Sequence, residues 1–117
     1  MRVLYVDANY FSGPLPNKLG DLHNLESLFI SGNAFDYQVP SEFGNLINLV
    51  HFIADNNKLS GKFPEQLLQL PSLEKLWLRG NDFSGTVTSD SCENKQPMLE
   101  IKQDCRVVCT CCDGCFE

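Results

Sequence analysis

The residues best suited to covalent chemistry are six cysteines that lie close together. They are Cys92, Cys105, Cys109, Cys111, Cys112 and Cys115. Clustered cysteines in a segment with few apolar residues predict disulfide bonds and an oxidising compartment. Because a bond between adjacent cysteines strains the peptide, we expect Cys111 and Cys112 to take different partners, while the pairing is otherwise open.

A zinc site is the alternative use of four of these cysteines, Cys105, Cys109, Cys112 and Cys115. Structural zinc motifs usually have a longer loop between their two halves than the two residues that separate Cys109 from Cys112. We therefore favour disulfides over zinc, and we expect no metal ion and no other cofactor.

A second group that could do chemistry is Ser27, His51 and Lys75, which follow one another at a constant spacing of 24 residues. A serine beside a histidine suggests a nucleophile with its base. The third member is a lysine, however, which disfavours an imidazolium next to it, and an open sheet implies no oxyanion hole. We interpret these residues as a polar surface row and expect the protein not to be an enzyme.

The elements that position these residues are revealed by a repeat. Four asparagines are also separated by 24 residues each, namely Asn9, Asn33, Asn57 and Asn81. Apolar residues recur at fixed distances before them: Met1, Leu25, Leu49 and Leu73; Leu4, Leu28, Phe52 and Leu76; Val6, Ile30, Ala54 and Leu78. A fixed period in this range indicates a solenoid. The alternation just before each asparagine predicts a short strand, and a buried column of amides would satisfy backbone groups at the turns.

The second half of each repeat is rich in turn residues. Ser-Gly pairs follow three of the asparagines, and prolines follow later: Ser12-Gly13, Ser60-Gly61 and Ser84-Gly85; Pro16, Pro40 and Pro64. With the leucines, this pattern resembles the plant-type leucine-rich repeat, N-x-[LF]-S-G-x-[apolar]-P-x-x-[LF]-G-x-L. Asp36-Tyr37 departs from it in the second repeat, and Thr88 replaces proline in the fourth.

The resemblance implies an α/β solenoid, a right-handed superhelix of about four coils. It would have a concave parallel sheet, with turns and short helical pieces on its convex side. We expect residues 1–88 to form this solenoid and residues 89–117 to form a Cys-rich cap. The tail is similar to the Cys-rich ends of leucine-rich repeat proteins from stramenopile algae such as diatoms.

The residues between the buried leucines should point outward from the concave sheet, because side chains alternate along a strand. These candidate ligand-binding residues are Tyr5, Asp7, Phe29, Ser31, His51, Ile53, Asp55, Lys75, Trp77 and Arg79. Aromatic residues dominate the row formed by Tyr5, Phe29, Ile53 and Trp77, which we call the middle row. An exposed apolar row with a polar rim is typical of an interaction site. We expect Trp77 to be the anchor and Asp55 to pair with Arg79.

Charge and composition narrow the function further. The chain has 9 Lys and Arg against 15 Asp and Glu, a net charge of -6, which disfavours a nucleic-acid partner. No apolar run is long enough to span a membrane. The resemblance implies an extracellular or cell-surface recognition module for a protein, peptide or glycan. The alternative is a structural or capping segment without a ligand of its own.

The first repeat begins at Met1 without a capping segment before it. Since an open solenoid end exposes core side chains and a strand edge, we expect the chain to be the C-terminal part of a longer, receptor-like protein. A complete protein of four coils is the alternative. A membrane anchor would then have to come from a preceding segment. We also expect self-association through the uncapped edge.

Overall fold

The computed structural model describes residues 1–113 and 115–116. Its main sheet is parallel and has the strand order β1-β3-β5-β7-β9-β10. The strands are β1 (Val3–Tyr5), β3 (Ser27–Phe29), β5 (His51–Ile53), β7 (Lys75–Trp77), β9 (Glu100–Asp104) and β10 (Cys115–Phe116). The first four are the strands that the repeat predicts, and their register keeps the 24-residue spacing, as in Leu28 opposite Phe52.

A second parallel sheet, which the sequence did not predict, runs along the solenoid with the order β2-β4-β6-β8. Its strands are β2 (Ser12–Pro14), β4 (Ala34–Tyr37), β6 (Lys58–Lys62) and β8 (Asp82–Ser84). Short 3-10 helices follow three of them, at Asn17–Asp21, Ser41–Asn45 and Glu65–Gln69. Each helix begins directly after a proline, whose fixed φ suits a helix start and whose missing N–H costs no bond there.

The core lies between the two sheets and the 3-10 helices. The column residues Leu28, Phe52 and Leu76 are fully buried, and the rings of Phe43 and Phe52 meet edge to face with centroids 5.9 Å apart. The first coil differs, since Leu4 and Val6 are only partly buried. The stacking of successive coils is therefore what buries each leucine column.

The asparagine column forms a ladder between coils. Asn57 donates from Nδ2 to the carbonyls of Ile30 (2.9 Å) and Ala54 (3.2 Å), and its Oδ1 accepts from the N–H of Phe35 (3.2 Å). Asn33 and Asn81 make the equivalent bonds, whereas Asn9 is exposed. Each buried amide thus joins its own turn to the preceding coil, as a tight buried turn requires.

The segment after Val87 departs from the repeat. Thr88, where the repeat has proline, caps helix α1 (Ser89–Asn94) by accepting a bond from the N–H of Ser91 at 3.2 Å. The chain then returns as β9, which pairs with β7 and covers Leu76 and Leu78; both are fully buried. The Cys-rich segment therefore supplies the next strand of the main sheet as well as a cover for it.

Three disulfides hold this segment together: Cys92–Cys111, Cys105–Cys115 and Cys109–Cys112. The adjacent Cys111 and Cys112 have different partners. Asp113 closes the segment onto β9, since its N–H donates to the carbonyl of Ile101 (3.0 Å) and its Oδ2 accepts from the N–H of Ile101 (2.6 Å). Within the described residues, no helix is long and apolar enough to cross a membrane.

Candidate functional site

The outward face of the main sheet carries the residues that the sequence analysis predicted there. Register places Val3, Ser27, His51 and Lys75 in one row and Tyr5, Phe29, Ile53 and Trp77 in the next. β9 extends both rows, with Glu100 beside Lys75 and Lys102 beside Trp77. The sequence analysis missed these two residues because Ile101 follows Leu76 after 25 positions instead of 24.

Trp77 lies at the centre of a cationic cluster, which we define as Lys75, Trp77, Arg79 and Lys102. The ring centroid is 4.4 Å from Lys102 Nζ, 5.1 Å from Lys75 Nζ and 5.7 Å from Arg79 Cζ. The indole Nε1 donates to Glu100 Oε1 at 2.9 Å, which fixes the orientation of the ring. Cations at these distances are attracted to the indole face. A ligand at this point would meet an oriented aromatic ring with three cations around it, two of which have a carboxylate neighbour: Glu100 is 3.9 Å from Lys102 and Asp55 is 3.2 Å from Arg79.

The other half of the face is apolar. Tyr5 is 67% exposed, and its ring lies 5.7 Å from that of Phe29, which in turn lies 6.3 Å from the ring of His51. Ile53 continues the row toward Trp77 and is half-buried. The concave face is therefore divided into an apolar half on β1, β3 and β5 and a cationic half on β7 and β9.

The row nearest the asparagines is mainly structural. Asp55 is 9% exposed; its Oδ1 accepts from the N–H of Arg79 (2.8 Å) and its Oδ2 pairs with Arg79 Nη2 (3.2 Å), so the predicted ion pair is present. In the same way, Asp7 Oδ1 accepts from the N–H of Ser31 at 2.7 Å. These aspartates stabilise the ends of neighbouring strands, so Asp7, Ser31 and Asp55 offer less to a ligand than the middle row does.

The serine–histidine pair, Ser27 and His51, lies in the row that also contains Val3 and Lys75. Ser27 Oγ is 3.4 Å from His51 Nδ1, a long contact, and Lys75 is the next residue on the adjacent strand, as the spacing predicted. A nucleophile needs a base that is itself oriented by a third group, and a lysine disfavours the imidazolium that catalysis would form. The geometry is that of a polar surface row.

Charge is unevenly distributed over the molecule. The cationic cluster holds three of the nine Lys and Arg residues of a chain whose net charge is -6. Away from this cluster, Arg2 Nε donates to Glu26 Oε2 at 2.6 Å, and this bond lowers the pKa of the Glu26 carboxyl and raises that of the Arg2 guanidinium. Arg2 is exposed and Glu26 is half-buried, and both lie at the edge of the sheet, outside the candidate site.

A second concave feature lies at the end of the solenoid formed by the first coil. A groove of about 300 Å³ is lined almost entirely by apolar side chains, among them Leu4, Val6, Phe11 and Leu19. Phe11 is 48% exposed and its ring stacks on that of Phe35, with centroids 6.2 Å apart. In the inner coils, the equivalent side chains pack against the preceding coil. In the first coil they line an open groove instead.

Comparisons with known proteins agree with this architecture. The sequence model of the Leucine Rich Repeat family matches residues 24–46 and 72–94. No curated protein matches the chain. Among solved structures, a plant ice-binding protein has a TM-score of 0.84 and 27% identity, over 93% of this chain and 35% of its own.

Two further plant structures are also similar. A chain of the BIR3–SERK2 complex from Arabidopsis thaliana has a TM-score of 0.74 and 28% identity, over 99% of this chain and 57% of its own. The plant peptide hormone receptor RGFR1, in complex with RGF2, has a TM-score of 0.81 and 28% identity, over 92% of this chain and 17% of its own. This chain thus spans between about a sixth and somewhat over half of these proteins. Its two matched repeats, its stacked parallel strands and these likenesses show that the chain has a leucine-rich repeat fold, as the sequence predicts.

Proposed function

We propose that this chain is a non-enzymatic, extracellular recognition module that binds a protein, peptide or glycan through its concave face. The observation that carries the proposal is Trp77, a half-buried indole fixed by Glu100 and surrounded by three cations on an open sheet. Large amphipathic side chains with charged neighbours are typical anchors of binding sites. The three disulfides support an extracellular location, because such bonds persist in oxidising compartments.

The similarity to a peptide hormone receptor in complex with RGF2 supports the peptide as a ligand class. The two halves of the face suit a ligand with apolar groups over Tyr5 and Phe29 and an anionic group over the cationic cluster. The alternative is a structural role as the closing segment of a larger leucine-rich repeat scaffold. In that case the aromatic row would have no ligand.

The test compares the chain with a Trp77→Ala/Phe29→Ala variant, both with disulfides intact. Each serves as bait for the native extracellular fraction, and a captured molecule is identified and measured by calorimetry. We expect the double substitution to weaken binding by about 30-fold or more, as for other aromatic anchors of binding sites. Tyr10→Ala is the matched control, because Tyr10 is an aromatic residue that is 92% exposed and lies off the main sheet.

Two outcomes would contradict the proposal. Equal capture by the parent chain and the double variant would move the site off the concave face. Capture of no molecule by the parent chain would favour the structural alternative. Circular dichroism of the variants checks that the fold is retained.

We also propose that the end groove beside β1 mediates self-association. The groove is lined by the apolar side chains of Leu4, Val6, Phe11 and Leu19, and Phe11 is 48% exposed. Together with the outer edge of β1 they form a surface that a second strand can extend.

A further inference from the structure

The sulfur atoms of two different disulfides lie almost in contact. Cys109 Sγ is 4.0 Å from Cys111 Sγ, although Cys109 is bonded to Cys112 and Cys111 to Cys92. The Sγ atoms of Cys92, Cys109 and Cys111 all lie within 4.8 Å of one another. Thiol–disulfide exchange proceeds by attack of a thiolate on one sulfur of a disulfide, so access to that sulfur is a requirement. When the Cys109–Cys112 bond opens by attack on Cys112, the Cys109 thiolate therefore lies next to the Cys92–Cys111 bond.

We infer that the two disulfides form an exchange relay, which a low-molecular-weight thiol opens at Cys112 and which ends with a free thiol at Cys92. In the first step the external thiolate attacks Cys112 Sγ, forms a mixed disulfide there and expels the Cys109 thiolate. In the second step this thiolate attacks Cys111 Sγ, forms a Cys109–Cys111 bond and expels the Cys92 thiolate.

The electrons and bonds balance in this sequence. One thiolate and two disulfides react, and one thiolate and two disulfides result, so no oxidant or reductant is needed beyond the entering thiol. Cys112 is the residue modified, and Cys92 on α1 is the residue released. The relay gives the Cys-rich segment a modification site for a thiol of the glutathione class.

The third disulfide provides an internal contrast. Cys105 and Cys115 are both exposed, so an external thiol reaches their bond directly. Among the described residues, the close sulfur group contains neither of them. Opening of the Cys105–Cys115 bond should therefore yield a thiol at one of its own two residues, with no transfer to another pair.

The experiment treats the full chain with limiting glutathione and quenches it with a light maleimide. The remaining disulfides are then reduced in denaturant and labelled with a heavy maleimide, and fragment mass spectra assign each label to its cysteine. We expect light label on Cys92 with glutathione on Cys112, in addition to light label on Cys105 or Cys115 from their own bond. Light label on Cys109, with Cys92 carrying heavy label, would overturn the relay.

A Cys109→Ser/Cys112→Ser variant tests whether Cys92 is released through the relay or by direct attack on its own disulfide. The relay predicts that release of Cys92 slows at least tenfold in this variant, and an unchanged rate would contradict it. A Cys105→Ser/Cys115→Ser variant, which keeps the relay intact, should release Cys92 at the parent rate. Because the parent chain itself gives the primary result, the inference stays testable if a variant fails to fold.

Discussion

Single residues in this solenoid either hold coils together or form the open face that we propose binds a ligand. Asn57 belongs to the first kind, since its side chain satisfies two carbonyls and one N–H that the turn would otherwise bury without partners. Trp77 belongs to the second, since its ring edge is bonded to Glu100 while cations surround its faces. The same 24-residue period positions both, so one repeat supplies the buried ladder and the proposed binding face from neighbouring positions.

Substitution of Asn57 by alanine should therefore destabilise the chain. The change leaves the carbonyls of Ile30 and Ala54 and the N–H of Phe35 unpaired in a buried turn, at a cost of about 3 kcal/mol in the free energy of unfolding. Asn9→Ala is the control, because Asn9 is exposed and should lose no more than about 0.5 kcal/mol. Urea denaturation with disulfides intact measures both. Equal losses would show that the buried ladder contributes little.

At the scale of elements, the Cys-rich segment has two roles. It supplies strand β9 of the main sheet, and it covers the core residues of the last coil. β9 buries Leu76 and Leu78, Asp113 binds the outer side of β9, and Cys92 joins α1 to the loop at Cys111. A segment with so few apolar side chains depends on its cross-links for stability.

Removal of single disulfides should show which cross-link matters most. The Cys92–Cys111 bond closes a loop with a sequence separation of 19 and the Cys109–Cys112 bond one of 3. Loop-closure entropy then gives a loss of about 3 kcal/mol for Cys92→Ser/Cys111→Ser and about 2 kcal/mol for Cys109→Ser/Cys112→Ser. Thermal unfolding of the two double variants checks this order, and the reverse order would mean that native packing, not chain entropy, dominates. A chelator should leave the melting temperature of the parent chain unchanged.

At the scale of the whole molecule, the two ends of the main sheet are treated differently. One end is closed by β9, β10 and three disulfides, whereas β1 has no partner on its outer side among the residues that the structure describes. The apolar groove at this end continues the columns that pack the inner coils. A coil with the same columns is the surface that would fit it best.

Self-association should therefore depend on this groove. Phe11→Asp places a charge in the groove and should reduce the concentration-dependent rise of the sedimentation coefficient. Tyr10→Asp is the matched control, because it adds the same charge at a neighbouring residue that is 92% exposed. A parent chain that stays monomeric at all concentrations would contradict the proposal, as would equal effects of the two substitutions.

The sequence predicted the fold well where residue type repeats with the period. The asparagines, the leucine columns and the outward rows could all be found this way, because each position has one physical role in every coil. The second sheet could not, because its turns depend on backbone conformation. Positive φ angles occur one residue before each asparagine, at Ala8, Gly32, Asn56 and Gly80. Glycine and asparagine are the residues that usually indicate a positive φ. Because alanine stands at the first of these positions, the sequence does not show this pattern in every coil.

The candidate site was predicted only as far as the repeat extends. Glu100 and Lys102 were missed because β9 follows after 25 residues and because Gln103, a polar residue that is 3% exposed, interrupts its inward apolar pattern. The similarity of the tail to those of stramenopile proteins and the boundary at residue 88 stay predictions.

The pairing of β9 with β7 has a consequence for anyone who builds new solenoids from this one. Caps are commonly regarded as interchangeable end pieces that can be grafted to make an array soluble. Here the end piece brings Glu100 and Lys102 to the side of Trp77. A graft of residues 89–117 onto another array would therefore transplant part of the proposed binding site, and a cap chosen only for solubility would remove the two side chains that flank Trp77.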